Sequence, residues 1–256
     1  MNLNGQLVLI TGGAVRIGRA IVMELAACKC DVIIHYQESE AKAKALAEEV
    51  GALGRKAYTV AGSLGSHDDC LRIIDDAVSA AGRIDVLINN AAVFKKESLL
   101  ESIDSAVKDE FQVNLFAPMS LTREFASRIK ANGSGRGVVG AVVNLVDRRV
   151  VGNEIGCMPY LLAKKALVEF TRNAALELAP SITVNAVAPG AILPPPGEGD
   201  DVVRELAGEA PLAHQCLPPD VARAVAFLLQ ADGITGQTLF VDSGQHLLGN
   251  SKTGNS

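Results

Sequence analysis

The stretch "QLVLITGGAVRIGRAI", residues 6–21, sets a strand-length apolar run directly before a glycine-rich turn and the start of a helical segment. Gly12 suits a tight turn, and Gly18 lets the following helix approach the strand. Backbone N–H groups at such a helix start suit a pyrophosphate. A glycine turn alone is weak evidence for a nucleotide. Its place after the first strand of an alternating series makes the signal much stronger.

That series runs almost end to end. Strands are expected at "QLVLIT", "DVIIHY", "KAYTVAG", "IDVLINNA", "GVVGAVVNLV", "ITVNAVAPG" and "QTLFVDS". Helices are expected over 17–29, 39–53, 66–81, roughly 104–131, 158–179 and 219–231. Strands made almost wholly of Val, Ile and Leu, alternating with helices, indicate a parallel sheet covered on both faces. Right-handed crossovers make this a doubly wound α/β fold with ligands at the carboxyl ends of the strands. One domain is expected over 1–248, with 249–256 as a flexible tail. A Pro-rich stretch, "APGAILPPPGEGDD" (188–201), reads as a rigid loop or a substrate lid.

The 256 residues, 48% hydrophobic and 21% charged, can bury a full core and exclude a disordered chain. A net charge of −5 gives no electrostatic footprint for nucleic acid. The first residues lack the basic flank and long apolar run of a signal peptide, and no run is long enough to span a bilayer. A cytoplasmic protein is expected, with no membrane and no nucleic-acid partner. Five Cys without a CxxC pair or a His cluster argue for reduced thiols and no metal.

The chemistry lies in "NLVDRRVVGNEIGCMPYLLAKKA", residues 144–166. Tyr160 and Lys164 are four apart on a helix and share a face, and Pro159 suits its first turn. A phenol of pKa about 10 is a poor acid–base group at neutral pH, and a nearby ammonium should bring it closer to the working range. Asn114 precedes Pro118 by four residues, so its carbonyl receives no N–H and the helix should bend there. That carbonyl, within reach of Lys164, could hold a water and relay protons; a simple solvated kink is the plainer reading.

At the cofactor end, Arg16 stands where a glycine is usual. Its guanidinium would favour extra negative charge such as a ribose 2′-phosphate. The end of the second strand carries His35, Tyr36 and Gln37 in place of the acid that would bind an NAD ribose. Ser39 could bind a phosphate oxygen, although Glu38 beside it would repel one. NADP(H) is favoured over NAD(H).

Together "TGGAVRIG", "NNAA", Asn114, "YLLAK" and "NAVAPG" resemble the short-chain dehydrogenase/reductase family over nearly the whole chain. The resemblance implies a Rossmann-type domain with a seven-stranded sheet, usually a homotetramer or homodimer. It implies hydride transfer from a nicotinamide to a small-molecule substrate, with Tyr160 as acid, Lys164 as its activator and Asn114 on the proton relay. Gly12, Arg16, Ile17, Gly18, His35, Ser39, Ser63, Leu64, Asn90, Ala91, Tyr160, Lys164, Pro189, Gly190 and Ile192 would then line the cofactor.

In most of that family the third catalytic position is a Ser that hydrogen-bonds the substrate carbonyl; here it is Asp147. A carboxylate donates no hydrogen bond to a ketone unless protonated, but it suits a substrate with basic nitrogens. The plainer reading pairs Asp147 with Arg148 or Arg149 in a protein that has lost activity. The pteridine reductases and dihydromonapterin reductases, a subset of the family, share the Arg at position 16, the Asp thirteen residues before the Tyr, and a Phe after "NNA", here Phe94. In that subset the pterin lies between the Phe ring and the nicotinamide, so Arg16, Phe94, Asp147 and Tyr160 become the substrate residues. The chain departs from the subset at Ala92, Cys157, Glu38 and Ser63, where Ser, Tyr, Arg and Asp are usual. The expectation is an NADPH-dependent reductase of a pterin-like C=N bond. The alternatives are a 3-oxoacyl-thioester or other ketone reductase, and a catalytically silent NADP-binding sensor.

Overall fold

The computed structural model describes residues 1–131, 137–194 and 208–248. Seven parallel strands form one sheet in the order β3-β2-β1-β4-β5-β6-β7. They are β1 (Leu7–Ile10), β2 (Asp31–Tyr36), β3 (Ala57–Ala61), β4 (Val86–Asn89), β5 (Gly140–Leu145), β6 (Ile182–Pro189) and β7 (Thr238–Val241). The helices are α1 (Arg16–Ala27), α2 (Glu40–Ala52), α3 (His67–Ala81), α4 (Asp104–Phe111), α5 (Ala117–Ala131), α6 (Met158–Leu178) and α7 (Pro218–Gln230).

The apolar strands are buried on both faces because the pleat sends alternate side chains to opposite layers. Val8, Ile10, Val32, Ile34, Val86 and Ile88 join one core with α1, α2 and α7. Leu7, Leu9, Ile33 and Leu87 join the other, with α3 and α5. Each such side chain contributes about 1.5–3 kcal/mol on burial. The strand order reverses between β1 and β4, so their carboxyl ends flank the crevice where ligands bind in such sheets.

The stretch 104–131 is not one helix. Gln112–Phe116 form a π turn, in which the Ala117 N–H bonds to the Gln112 carbonyl, five residues back. Pro118 follows and brings no N–H to the carbonyl of Asn114, which is the physical origin of the break. The expected bend is therefore a change of helical register that buries Asn114 completely.

The five cysteines are free thiols. Among the described residues, no helix is long and apolar enough to cross a membrane, and no cluster of His, Cys, Asp and Glu is placed to hold a metal. Residues 195–201 of the Pro-rich stretch and the tail 249–256 lie outside the described residues.

Candidate active site

The glycine turn is fastened from three strands by neutral hydrogen bonds. The Thr11 hydroxyl accepts the N–H groups of Asn90 (2.9 Å) and Ala91 (3.0 Å). The Asn90 side-chain amide donates to the carbonyls of Thr11 (2.8 Å) and Gly12 (3.1 Å). From β2, His35 Nδ1 accepts the Gly12 N–H at 3.2 Å, while its Nε2 lies 3.2 Å from the Gly62 carbonyl. A nitrogen that accepts an N–H carries no proton, so this imidazole is neutral with its hydrogen on Nε2. Burial pushes its pKa down to about 4, only partly opposed by the Gly62 bond.

Gly12 takes a left-handed φ of +60°, and a Cβ on Gly18 would meet the Gly12 carbonyl at 2.2 Å. Both positions therefore require glycine. The first bond of α1 is from the Arg19 N–H to the Val15 carbonyl (3.1 Å), which leaves the earlier N–H groups of the turn without helical partners. No acidic side chain occupies that first turn. The residues present thus fit a pyrophosphate: donors without helical partners, a glycine cradle, and the open ends of β1 and β4.

Arg16 also lies at a left-handed φ, +54°, the conformation that explains why a glycine is usual there. Its Nη2 donates to the Pro194 carbonyl at 2.8 Å, so the guanidinium reaches from the turn to the loop after β6. In that loop the Gly190 N–H bonds to the Val241 carbonyl (3.0 Å), and a Cβ on Gly190 would lie 2.7 Å from that of Asp242. Pro189 ends β6. The side chains of Ile192 and Leu64 are buried, and Ile17 packs against the first core, so these three offer a ligand mainly backbone. The hydroxyl of Ser39, at the start of α2, makes no cap bond, and that of Ser63 accepts the Gly65 N–H at 2.9 Å.

Tyr160 and Lys164 share one face of α6, as their spacing predicts, and both are buried. The phenol donates to Asp147 Oδ2 at 3.1 Å. Oδ1 of Asp147 accepts the Arg149 N–H at 2.9 Å and caps a short 3-10 turn, Arg148–Val151. Arg149 places Nη1 3.5 Å from Asp147 Oδ2 and Nε 3.0 Å from Glu154 Oε2. Its guanidinium lies 5.5 Å from the centroid of the Phe94 ring. That ring meets the Tyr160 ring edge to face, with centroids 5.0 Å apart at 83°. Asp147 and Arg149 from the segment after β5, and Phe94 from the segment after β4, thus gather around the Tyr160 side chain.

The expected effect of Lys164 on the phenol is not what the structure shows. Burial, then the Asp147 carboxylate, pushes the Tyr160 pKa well above the ordinary value, with Arg149 only partly opposing. The charge bonded to the phenol is an anion, and the lysine ammonium instead donates to the Leu145 carbonyl at 2.8 Å. Burial pushes Lys164 down to about 8, against the opposing pull of Asp147. The phenol is therefore set to hold its proton, which is the state a donor needs. Asn114 makes two bonds to one residue: Nδ2 donates to the Val93 carbonyl (2.8 Å), and Oδ1 accepts the Val93 N–H (3.2 Å).

Both ring nitrogens of His35 are engaged within the fold, Nδ1 by Gly12 of the turn and Nε2 by Gly62 after β3. The pairing of Asp147 with Arg149 is present, but it coexists with the Tyr160 bond rather than replacing it. Sequence reasoning missed Thr11 and Glu110 and the part played by Arg149 beside Phe94. "TGG" was a signal for Thr11; the others depend on loop folding.

Comparison with known proteins finds relatives over nearly the whole chain. Residues 13–246 match a family model described as enoyl-(acyl carrier protein) reductase. The 3-oxoacyl-[acyl-carrier-protein] reductase FabG of Staphylococcus epidermidis is 32% identical over 244 residues, covering 93% of this chain and 98% of the relative. The crystal structure of FolM alternative dihydrofolate reductase 1 from Brucella canis, complexed with NADP, superposes with a TM-score of 0.90 at 31% identity, covering 98% of both chains. Its counterpart from Brucella suis, also in complex with NADP, gives 0.84 at 34% identity, covering 94% of this chain and 95% of that one. A doubly wound sheet carrying a glycine turn and a buried Tyr–Lys pair defines a dinucleotide-dependent oxidoreductase. The chain belongs to the short-chain dehydrogenase/reductase family, an NAD(P)H-dependent oxidoreductase family.

Proposed function

We propose that this protein is an NADPH-dependent reductase of a C=N bond in a pterin or a related flat nitrogen heterocycle. The observation that carries the reading is the Asp147 carboxylate, 3.1 Å from the hydroxyl of Tyr160, whose ring meets that of Phe94 edge to face. An ionised carboxylate accepts hydrogen bonds, so it suits the N–H edge of a heterocycle and opposes a ketone oxygen. The half-exposed Phe94 ring offers a face on which such a ring stacks.

When bound, the nicotinamide supplies the hydride. Tyr160, held protonated by burial and by Asp147, delivers a proton to the nitrogen next to the carbon that receives it. Lys164 restores that proton, with the backbone carbonyl of Asn114, to which Pro118 brings no N–H, as the next station toward solvent. Arg16, at the lip of the glycine turn, would meet the 2′-phosphate that distinguishes NADPH from NADH. The NADP complexes of both similar FolM structures support this cofactor. A homodimer or homotetramer would cover apolar side chains exposed on α5 and α6, among them Met119, Leu162 and Leu176.

The likeness to FabG favours a second reading, reduction of a 3-oxoacyl thioester. NADPH oxidation with 7,8-dihydrobiopterin, dihydrofolate and an acetoacetyl thioester, with NADH run in parallel, separates the two. Turnover confined to the pterins is expected. Asp147→Ser should cut pterin turnover by about tenfold or more, the loss that follows removal of one charged hydrogen bond. Thioester turnover alone, or pterin turnover untouched by the substitution, would make the carboxylate irrelevant to the substrate.

A further inference from the structure

Glu110 lies in the last turn of α4 with only 2% of its surface exposed, a burial that a carboxylate tolerates only when its oxygens are satisfied. Its Oε1 accepts the Lys95 N–H at 2.8 Å. The backbone N–H of Tyr160, in the first turn of α6, faces the same carboxylate and favours its charged form. Helix α6 starts there without a cap of its own, because the side chain of Cys157 at the N-cap makes no bond to the helix. Glu110 sets an anion from another helix against this uncapped first turn, where the helix dipole favours one.

Its bond to Lys95 reaches the other wall of the site. Lys95 follows Phe94, and Val93 before it is held by Asn114, so Glu110 completes a clamp on the peptide that carries the ring. One buried carboxylate thus holds the segment bearing Phe94 and faces the turn bearing the phenol. Burial raises its pKa; the N–H groups of Lys95 and Tyr160 and the Lys95 ammonium oppose that rise, and Glu97 adds to it.

We propose that Glu110 is a positioning residue, which fixes the Phe94 ring against Tyr160 and so sets the slot for the substrate ring. This rests on the reading of Tyr160 as proton donor. The test uses Glu110→Ala and Glu110→Gln in the full chain, beside Tyr160→Phe, with 7,8-dihydrobiopterin as substrate. The alanine variant should lose about tenfold to a hundredfold in kcat, as small misplacements do, and raise KM several-fold. NADPH affinity, followed by its fluorescence, should stay within about twofold, because the glycine turn belongs to other elements. Glu110→Gln keeps one acceptor oxygen and should restore part of kcat. If the alanine variant does not fold, the glutamine variant decides alone.

Wild-type kcat and KM in Glu110→Gln and Glu110→Ala, with Tyr160→Phe inactive, would overturn the role of Glu110 only. A parallel loss of NADPH affinity in both Glu110 variants would make the residue a general structural one and also overturn it. Turnover retained by Tyr160→Phe would remove the reading of the phenol, and this inference with it.

Discussion

The glycine turn and the Tyr160 corner are both assembled from side chains that reach across the ends of strands, but they are held by different chemistry. Thr11, His35 and Asn90 hold the turn through uncharged hydrogen bonds to backbone atoms. Asp147, Arg149, Glu154 and Glu110 hold the corner through charges, in part against one another. A turn that receives a highly charged cofactor gains from neutral supports, since any fixed anion there would repel the pyrophosphate. A corner that must keep a proton on a phenol gains from a carboxylate bonded to it, because burial alone would not orient that proton.

The largest break in this comparison is Tyr160→Phe. Removing the hydroxyl deletes the proton donor but leaves the edge-to-face ring contact. Steady-state turnover should fall by about 10²- to 10⁴-fold. NADPH affinity should hardly change, because the turn does not depend on the phenol. Loss of both together would mean that the two regions are one unit.

Arg16 is the exception within the neutral region, and Arg16→Gly sharpens the contrast. The left-handed φ of +54° costs a non-glycine residue roughly 1–2 kcal/mol, which glycine avoids. Thermal unfolding should therefore show a stabilisation of about 1 kcal/mol, less what the Pro194 contact contributed. NADPH binding should weaken by about tenfold, one charge-assisted contact, with NADH binding little changed. An equal loss for both cofactors would remove the 2′-phosphate from the argument.

The two regions also differed in how far the sequence disclosed them. Wholly apolar parallel strands announce themselves, and their ends came within three residues of those observed, because burial on both faces leaves few other patterns. Tyr160 and Lys164 were legible because helical spacing alone sets their common face. Pro118 disclosed a bend but not its form, since a π turn depends on which neighbours claim Asn114. The contacts of the Phe94 ring with Tyr160 and Arg149 were hidden, because they join segments whose paths no local periodicity encodes. His35 looked like a ligand residue from its place at a strand end; its burial, known only from the fold, turns it inward.

The last break concerns that histidine. His35→Phe keeps an aromatic ring, though a larger one, but leaves the Gly12 N–H and the Gly62 carbonyl without this partner, at a cost of about 1–3 kcal/mol near pH 7. The native pKa of about 4 lies below the unfolded value of about 6.5, so the folded state excludes the proton that the unfolded chain takes up. The stabilisation from neutral His35 is therefore complete above about pH 6.5 and is lost as pH falls toward 4, at no more than roughly 1.4 kcal/mol per pH unit. The phenylalanine variant lacks this titration. Urea unfolding between pH 4 and 7.5 should show the stability gap between the two proteins narrowing steadily toward the acid end. A gap that stays constant would mean that the imidazole is not held neutral beneath the turn, and a purely uncharged support for the cofactor end would no longer stand.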